Sequence, residues 1–244
     1  MRKLIAGALL AASAVTVACS ESRAQAEDGG PSATRTYKIG NFQQIEVAGP
    51  YEVNVRTGAN ASVAGTGPEK LLANTIVEVR GDKLVIRPQE HKGWFGGGWS
   101  SKGTAHFTVT APQLRAATIA GSGDIQVDRV QGPSFEGTVA GSGGISLAQI
   151  DVQQLKLAIA GSGGVRGGGG KVQTAEYDIA GSGDLDLGAV VVQQLKVSIA
   201  GSGGVHANSN GNADVSIMGS GDVEIAGGAK CNISKMGSGD VRCS

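Results

Sequence analysis

The chain has 244 residues with 21 basic and 21 acidic side chains, a neutral balance that removes the electrostatic reason to expect a nucleic-acid partner. Glycine is frequent at 41 residues and aromatics make up only 4%, yet Val, Ile and Leu recur at regular intervals, which excludes a low-complexity chain and predicts a thin, evenly spread core.

In chain order, the first element is an export signal. Arg2 and Lys3 precede an uncharged run from Leu4 to Ala18, shorter than the ~20 residues a spanning helix needs, so residues 1–18 read as a signal peptide. Two processing sites compete. Val15-Thr16-Val17-Ala18-Cys19 resembles a bacterial lipobox with Cys19 as the lipidated residue, and Ala24-Gln25-Ala26 fits ordinary signal-peptidase cleavage. Of three cysteines, Cys231 and Cys243 lie together near the end and Cys19 stands alone. A disulfide between the distal pair, which an oxidising compartment allows, leaves Cys19 for a lipid anchor to the membrane. Ser20 is not the Asp that by analogy retains a lipoprotein at the inner membrane. The expected location is therefore the bacterial cell envelope, lipid-anchored at the outer membrane or periplasmic, with residues 19–35 as a flexible tether.

Residues 36–110 read as irregular, longer rungs of a stacked architecture. Val47-Ala48-Gly49-Pro50-Tyr51-Glu52-Val53-Asn54-Val55 aligns with the later "IAGSGDIQV", placing Gly49 on Gly121 and Glu52 on Asp124. Ile76–Val79 and Leu84–Ile86 flank Arg80-Gly81-Asp82-Lys83, a turn between two strands. The segment "HKGWFGGGWSSKG" holds both tryptophans. Trp94, Phe95 and Trp99, flanked by glycine, form a candidate binding loop that stacks on sugars or docks a partner, or else folds back over the first rung.

Residues 111–244 carry the repeat. The triplet GSG begins at Gly121, Gly141, Gly161, Gly181, Gly201, Gly219 and Gly237, and a loop built for one reaction would not recur at so regular a period. Between triplets the pattern alternates with period two: Leu155, Leu157 and Ile159 before the glycines, Ile145 and Leu147 after them. A further pair, Val152 with Leu155, encloses Gln153-Gln154 and predicts another side of the coil. No stretch beyond the signal has helical periodicity. Strands around sharp corners pair with the equivalent strands of the next coil, ~4.8 Å away. The expected fold is all-β, a right-handed parallel β-helix of about 20-residue coils.

The glycines then serve as structural corners: Gly121, Ser122 and Gly123, with Gly181, Ser182, Gly183 and Gly237, Ser238, Gly239 as further copies. Glycine reaches positive φ without penalty, and the serine hydroxyl is available for local bonds. Catalytic readings fail on spacing. Ala120 and the directly adjacent Gly121-Ser122 break a nucleophile elbow, and Gly167–Lys171 lacks the glycine and hydroxyl of a Walker loop. The ladder of acids after the triplet is broken by glycines, as Asp124, Gly144, Gly164, Asp184, Gly204, Asp222 and Asp240. That is poor calcium geometry and reads as avoidance of stacked like charges. Neither metal nor cofactor is expected, since His91, His106 and His206 lack ligand spacing.

Two residues further on stand Gln126, Ser146, Arg166, Asp186, His206, Glu224 and Arg242, read as a solvated ladder of ion pairs or, more sharply, as a carbohydrate-cleaving groove around Asp184, Asp186, His206 and Arg166. At the far end the repeat alignment turns Cys231, Lys235 and Cys243 inward on the last coil, where a bridge closes that coil and Lys235 discourages strand addition.

The segments "NFQQIEVAGPYEVNV", "GDKLVIRP", the repeated "IAGSGD" and "AKCNISKMGSGDVRC" together resemble the head GIN domain family of autotransporter adhesins, over about residues 37–243. The resemblance implies a right-handed parallel β-helix in the bacterial envelope and brings no catalytic residues. With no barrel-like segment after Arg242, self-export across the outer membrane is not expected. The expected function is that of a non-enzymatic envelope lipoprotein that binds a partner protein or surface glycan, with a polysaccharide-active enzyme or a purely structural spacer as alternatives.

Overall fold

The computed structural model describes residues 31–89 and 103–244. Cys19 and the aromatic triplet Trp94, Phe95 and Trp99 lie outside the described residues. Among those described, no helix is long and apolar enough to cross a membrane.

The chain opens with β1 (Ser32–Tyr37), β2 (Gln44–Ala48), β3 (Tyr51–Thr57) and β4 (Ser62–Pro68). The one-turn helix α1 (Glu69–Ala73), the hairpin β5 (Thr75–Arg80) and β6 (Lys83–Pro88), then β7 (Ala105–Ala111) and β8 (Ala116–Gly121) follow. The regular region comprises β9 (Asp124–Gly141), β10 (Gly144–Gly161), β11 (Gly164–Gly167), β12 (Gly170–Gly181), β13 (Asp184–Gly201) and β14 (Gly204–Gly219). It ends with β15 (Asp222–Ala226), β16 (Lys230–Gly237) and β17 (Val241–Cys243).

From β8 onward the chain winds a parallel β-solenoid. Each coil lies in register on the next, so that Ile145 pairs with Ile125 on one side and Val165 on the other. Burial along β10 defines a three-sided coil. Ile145 and Leu147 point inward from the first face, Ile150 and Val152 from the second, and Leu155, Leu157 and Ile159 from the third. The second face is thus Ile150 with Val152, while the exposed Gln153 and Gln154 form the corner before Leu155, a different partition from the predicted Val152–Leu155 side. Two adjacent outward residues mark a bend in the chain, which period-two counting assigns to a strand.

Inward volumes compensate between rungs. On the third face Phe135 stands beside Gly137, the next rung has Leu155 and Leu157, and the one after has Ala175 and Tyr177. A Cβ on Gly137 would lie 2.7 Å from Leu157 Cδ2, so the small residue makes room for its neighbour's side chain. The rung bearing Tyr177 also has Gly167 and Gly170 at inward columns that hold Leu147 and Ile150 one rung earlier. The space a side chain at Gly167 would take is held by Val190, Leu187 and Ile150, whose methyl carbons lie 2.9, 3.1 and 3.2 Å from where its Cβ would be.

The GSG corner follows from the stacking. The first glycine has φ between +124° and +139° in all seven copies, and a Cβ on Gly161 would overlap the carbonyl oxygen of Gly141 below it. The third glycine is buried against the previous rung. A Cβ on Gly163 would meet Val139 Cγ1 at 2.6 Å and overlap the Gly143 carbonyl oxygen. The serine between them is exposed, and its backbone N–H forms the link, from Ser162 to Gly141 O at 3.0 Å. None of the repeat serine hydroxyls makes a hydrogen bond among the described residues, in contrast to the expected local bonding. At this position the backbone is the structural group and the hydroxyl faces water.

The N-terminal region departs from simple capping rungs. β2 pairs in parallel with both β6 and β8, and β3 with both β7 and β9. The rung formed by β6 and β7 therefore lies outside the β2–β3 rung although it comes later in the chain. The register Val53 with Ile125 and Glu52 with Asp124 is that of the sequence alignment. Antiparallel β4 and β1 cover the outer edge of β7, and β5 covers that of β6. Ser32–Arg35, assigned by sequence to the tether, belong to β1. Helix α1 is too short to show a period, and it buries Leu71 and Leu72 in the cap. There Phe107 meets Tyr51 edge to face at 5.5 Å. At the opposite end Cys231 and Cys243 are joined by a disulfide, and Lys235 Nζ donates to Gly239 O at 2.6 Å across the last coil.

Candidate functional site

The first face is the one on which polar side chains accumulate in register. Its strands β3, β9, β10, β11, β13, β14, β15 and β17 are bonded to neighbours on both sides except at the terminal rung, so outward side chains stand in straight columns one rung apart.

The column next to the GSG corner runs Glu52, Asp124, Gly144, Gly164, Asp184, Gly204, Asp222 and Asp240. Strict avoidance of like charges does not hold here. Glu52 is in register with Asp124, and Asp222 Oδ1 accepts the backbone N–H of Asp240 at 2.9 Å. Asp184 Oδ1 likewise accepts from Gly204 N–H at 2.9 Å. A Cβ on Gly204 would lie 2.9 Å from that carboxylate oxygen. The acid is thus a cap that leans over the next rung and bonds its main chain, which explains an acid followed by a glycine better than repulsion does.

The second column runs Asn54, Gln126, Ser146, Arg166, Asp186, His206, Glu224 and Arg242. The structure brings Arg166, Asp186 and His206 onto consecutive rungs with Asp184 beside them. Only Asp186 and His206 close a contact in this column, with Oδ1 and Nδ1 3.1 Å apart. The ladder of ion pairs read from Arg166 onward is therefore a single Asp186–His206 contact. A three-residue ladder that sequence reasoning missed lies on the third face, where Glu176 sits 2.7 Å from Lys196 Nζ and 3.8 Å from Lys156 Nζ. The hydrogen bond from Lys196 holds the Glu176 carboxyl below its ordinary range and lifts the Lys196 ammonium above its own. Its signal was the 20-residue spacing of alternating charges.

Three shallow depressions lie along the first face, one of them at the GSG corner between Asp124, Ser146, Arg166, Asp184 and Asp186. Near the C-terminal end one of about 440 Å³ is lined by Asp184, Asp186, His206, Asp222, Glu224 and Arg242, a predominantly acidic set. Toward the N-terminal cap another of about 490 Å³ is lined by Asn54, Arg56, Gln126, Ser146, Arg166 and Gly168 among others. Among the described residues no group of three His, Cys, Asp or Glu side chains comes together as a metal site. Trp94, Phe95 and Trp99 fall between β6 and β7 in the sequence, outside the described residues.

Residues 41–229 match the protein family described as "Putative auto-transporter adhesin, head GIN domain". Among solved structures, the chain is similar to a putative adhesin from Bacteroides fragilis at 20% identity and a TM-score of 0.76, with 88% of this chain and 97% of that chain covered. A putative adhesin from Parabacteroides merdae has 16% identity and a TM-score of 0.67 over 88% of this chain and 97% of that one. A putative lipid binding protein from Parabacteroides distasonis has 22% identity and a TM-score of 0.65 over 89% and 98%. At these identities the likeness establishes the fold. No curated protein matches the chain.

Proposed function

The chain belongs to the family of the putative auto-transporter adhesin head GIN domain, and we propose on that premise that it is a non-enzymatic binding module of the bacterial envelope, held to the membrane through a lipid on Cys19. The observation that carries this reading is the first face itself: a straight array of outward polar side chains over at least seven rungs, on a scaffold closed by a cap at one end and a disulfide at the other. Such a surface suits recognition of an extended partner or surface glycan by many weak, parallel contacts. The carboxylates that a glycan-cleaving enzyme would use are engaged, Asp184 with the Gly204 N–H and Asp186 with His206, which favours binding over turnover.

The purified chain displayed to a glycan array, together with capture from labelled envelopes, is expected to retain a ligand without consuming it. Polysaccharide turnover that disappears in Asp186→Asn would establish the enzymatic alternative. The anchor is tested by metabolic labelling with an alkyne fatty acid. Label is expected in the wild type and absent in Cys19→Ser, and an unlabelled mature chain beginning after Ala26 would overturn the lipoprotein assignment.

A further inference from the structure

The depression near the N-terminal cap differs from its acidic counterpart in which charges remain free. Small side chains at Ser146, Ala148 and Gly168 leave it open between the longer ones of Arg56, Gln126 and Arg166. Its two acids, Asp128 and Asp186, keep their charge but are turned to neighbours and not to the arginines. Asp128 accepts from both the backbone N–H and the hydroxyl of Thr57 at 3.0 Å, and Asp186 is paired with His206. No ion pair joins Arg56 or Arg166 to any described residue. Two guanidiniums without an ion-pair partner among the described residues thus flank a row of neutral groups, Asn54, Gln126 and Ser146, that stand on successive rungs.

We propose that this groove binds an anionic sugar chain, with the acidic substituents on Arg56 and Arg166 and the hydroxyls on Asn54, Gln126 and Ser146. The proposal rests on the binding-module reading above and gives that module a ligand class. Guanidinium is the side chain suited to bidentate recognition of carboxylate or sulfate oxygens. Amides and hydroxyls both donate and accept, as sugar hydroxyls do. The rung spacing of ~4.8 Å is comparable to the length of one pyranose unit, so a linear saccharide lying along the axis would meet one polar side chain per sugar. An acidic peptide is a poorer fit. The main-chain groups of β3, β9, β10 and β11 are spent on the parallel ladder to either side, so a peptide backbone finds no edge to pair with. The acidic depression further along the same face limits an anionic ligand to the N-terminal half.

The test is calorimetric titration of the full chain with a hexagalacturonate, a heparin-derived hexasaccharide, neutral maltohexaose and hexaglutamate. Binding of one or both acidic saccharides is expected, weakening as salt rises, with the two arms separating a carboxylate from a sulfate ligand. Arg56→Gln and Arg166→Gln, both exposed, are each expected to raise Kd about tenfold or more, while Lys196→Gln on the third face leaves it unchanged. Equal affinity in wild type and both arginine variants overturns the proposal. So do failure of both acidic saccharides to bind and hexaglutamate binding as tightly as they do. If envelope material is still captured by the arginine variants, the groove assignment alone fails. If the wild type captures nothing from arrays or envelopes, the binding-module reading fails with it.

Discussion

Replacing Gly161 by alanine sets a Cβ against the Gly141 carbonyl at a residue whose φ is +131°. Positive-φ strain of ~1–3 kcal/mol and a backbone clash that cannot relax by rotamer change predict a loss of at least about 3 kcal/mol in denaturant unfolding. Ser162→Ala, one position on, removes an exposed hydroxyl without a partner and should change stability by less than ~0.5 kcal/mol. Comparable losses in the two variants would mean that the hydroxyl has a structural role after all. Tyr177 makes the opposite point. Its ring fills the lumen, but its hydroxyl is buried without a hydrogen bond, and burial pushes the phenol above its ordinary range. Tyr177→Phe is expected to stabilise the chain by ~1 kcal/mol or more at neutral pH, since an unsatisfied buried group costs ~1–3 kcal/mol. Because the folded phenol keeps its proton where the unfolded one has lost it, this residue's contribution to stability is full below the unfolded value of about 10 and declines as pH rises beyond it. The phenylalanine variant should therefore lose less stability between pH 9 and 11, and identical alkaline profiles would refute the assignment.

At the scale of the element, the last coil depends on a covalent closure. β16 pairs with β14 on one side only, and Ile233, turned toward the lumen, is 47% exposed because no further rung covers it. The disulfide closes a loop of 12 residues in sequence, and the chain-entropy model assigns such a loop ~3 kcal/mol. Since each coil of a solenoid touches only its neighbours, reduction should open β16 and β17 and leave β9 and β10 untouched. Hydrogen exchange at Ile233 is expected to accelerate with reductant, and an unchanged rate would show that Lys235 and the ladder suffice. The cap at the other end is built differently, from antiparallel β1, β4 and β5 with the buried leucines of α1. One end of the molecule is thus closed by folding and the other by a bond.

For the whole molecule the repeat predicts modularity. Deleting residues 144–163 would join Gly143 to Gly164 and bring the Phe135 rung onto the Tyr177 rung. Phe135 would then face Ala175 and Gly137 would face Tyr177, large against small at both columns. The shortened chain is expected to fold with the β-sheet circular dichroism of its parent and a lower Tm, because one nearest-neighbour interface is lost. An unfolded product would mean that the rungs are not interchangeable units. The deletion also removes Ser146 from the first face, so anionic saccharide affinity should fall with it.

What the sequence determined by itself is whatever repeats. Every coil meets a copy of itself, so the GSG period states the coil length, the alternation of Leu155, Leu157 and Ile159 states which side is inside, and the alignment of Val53 with Ile125 extends the register upstream. The inward column shared by Cys231 and Leu155 was legible for the same reason. The tertiary structure alone decided what does not repeat. That β6 and β7 lie outside β2 and β3 depends on pairings between segments with no copy elsewhere. Which charges meet depends on side-chain rotamers, so the Asp186–His206 contact, the Asp184 cap on Gly204 and the unpaired Arg56 and Arg166 could be placed in columns by counting but resolved only in three dimensions. Periodic backbone packing is a local property of a solenoid and is written in its period. The cap and the depressions of the first face arise where that period is broken, and there the contacts between distant parts of the chain decide.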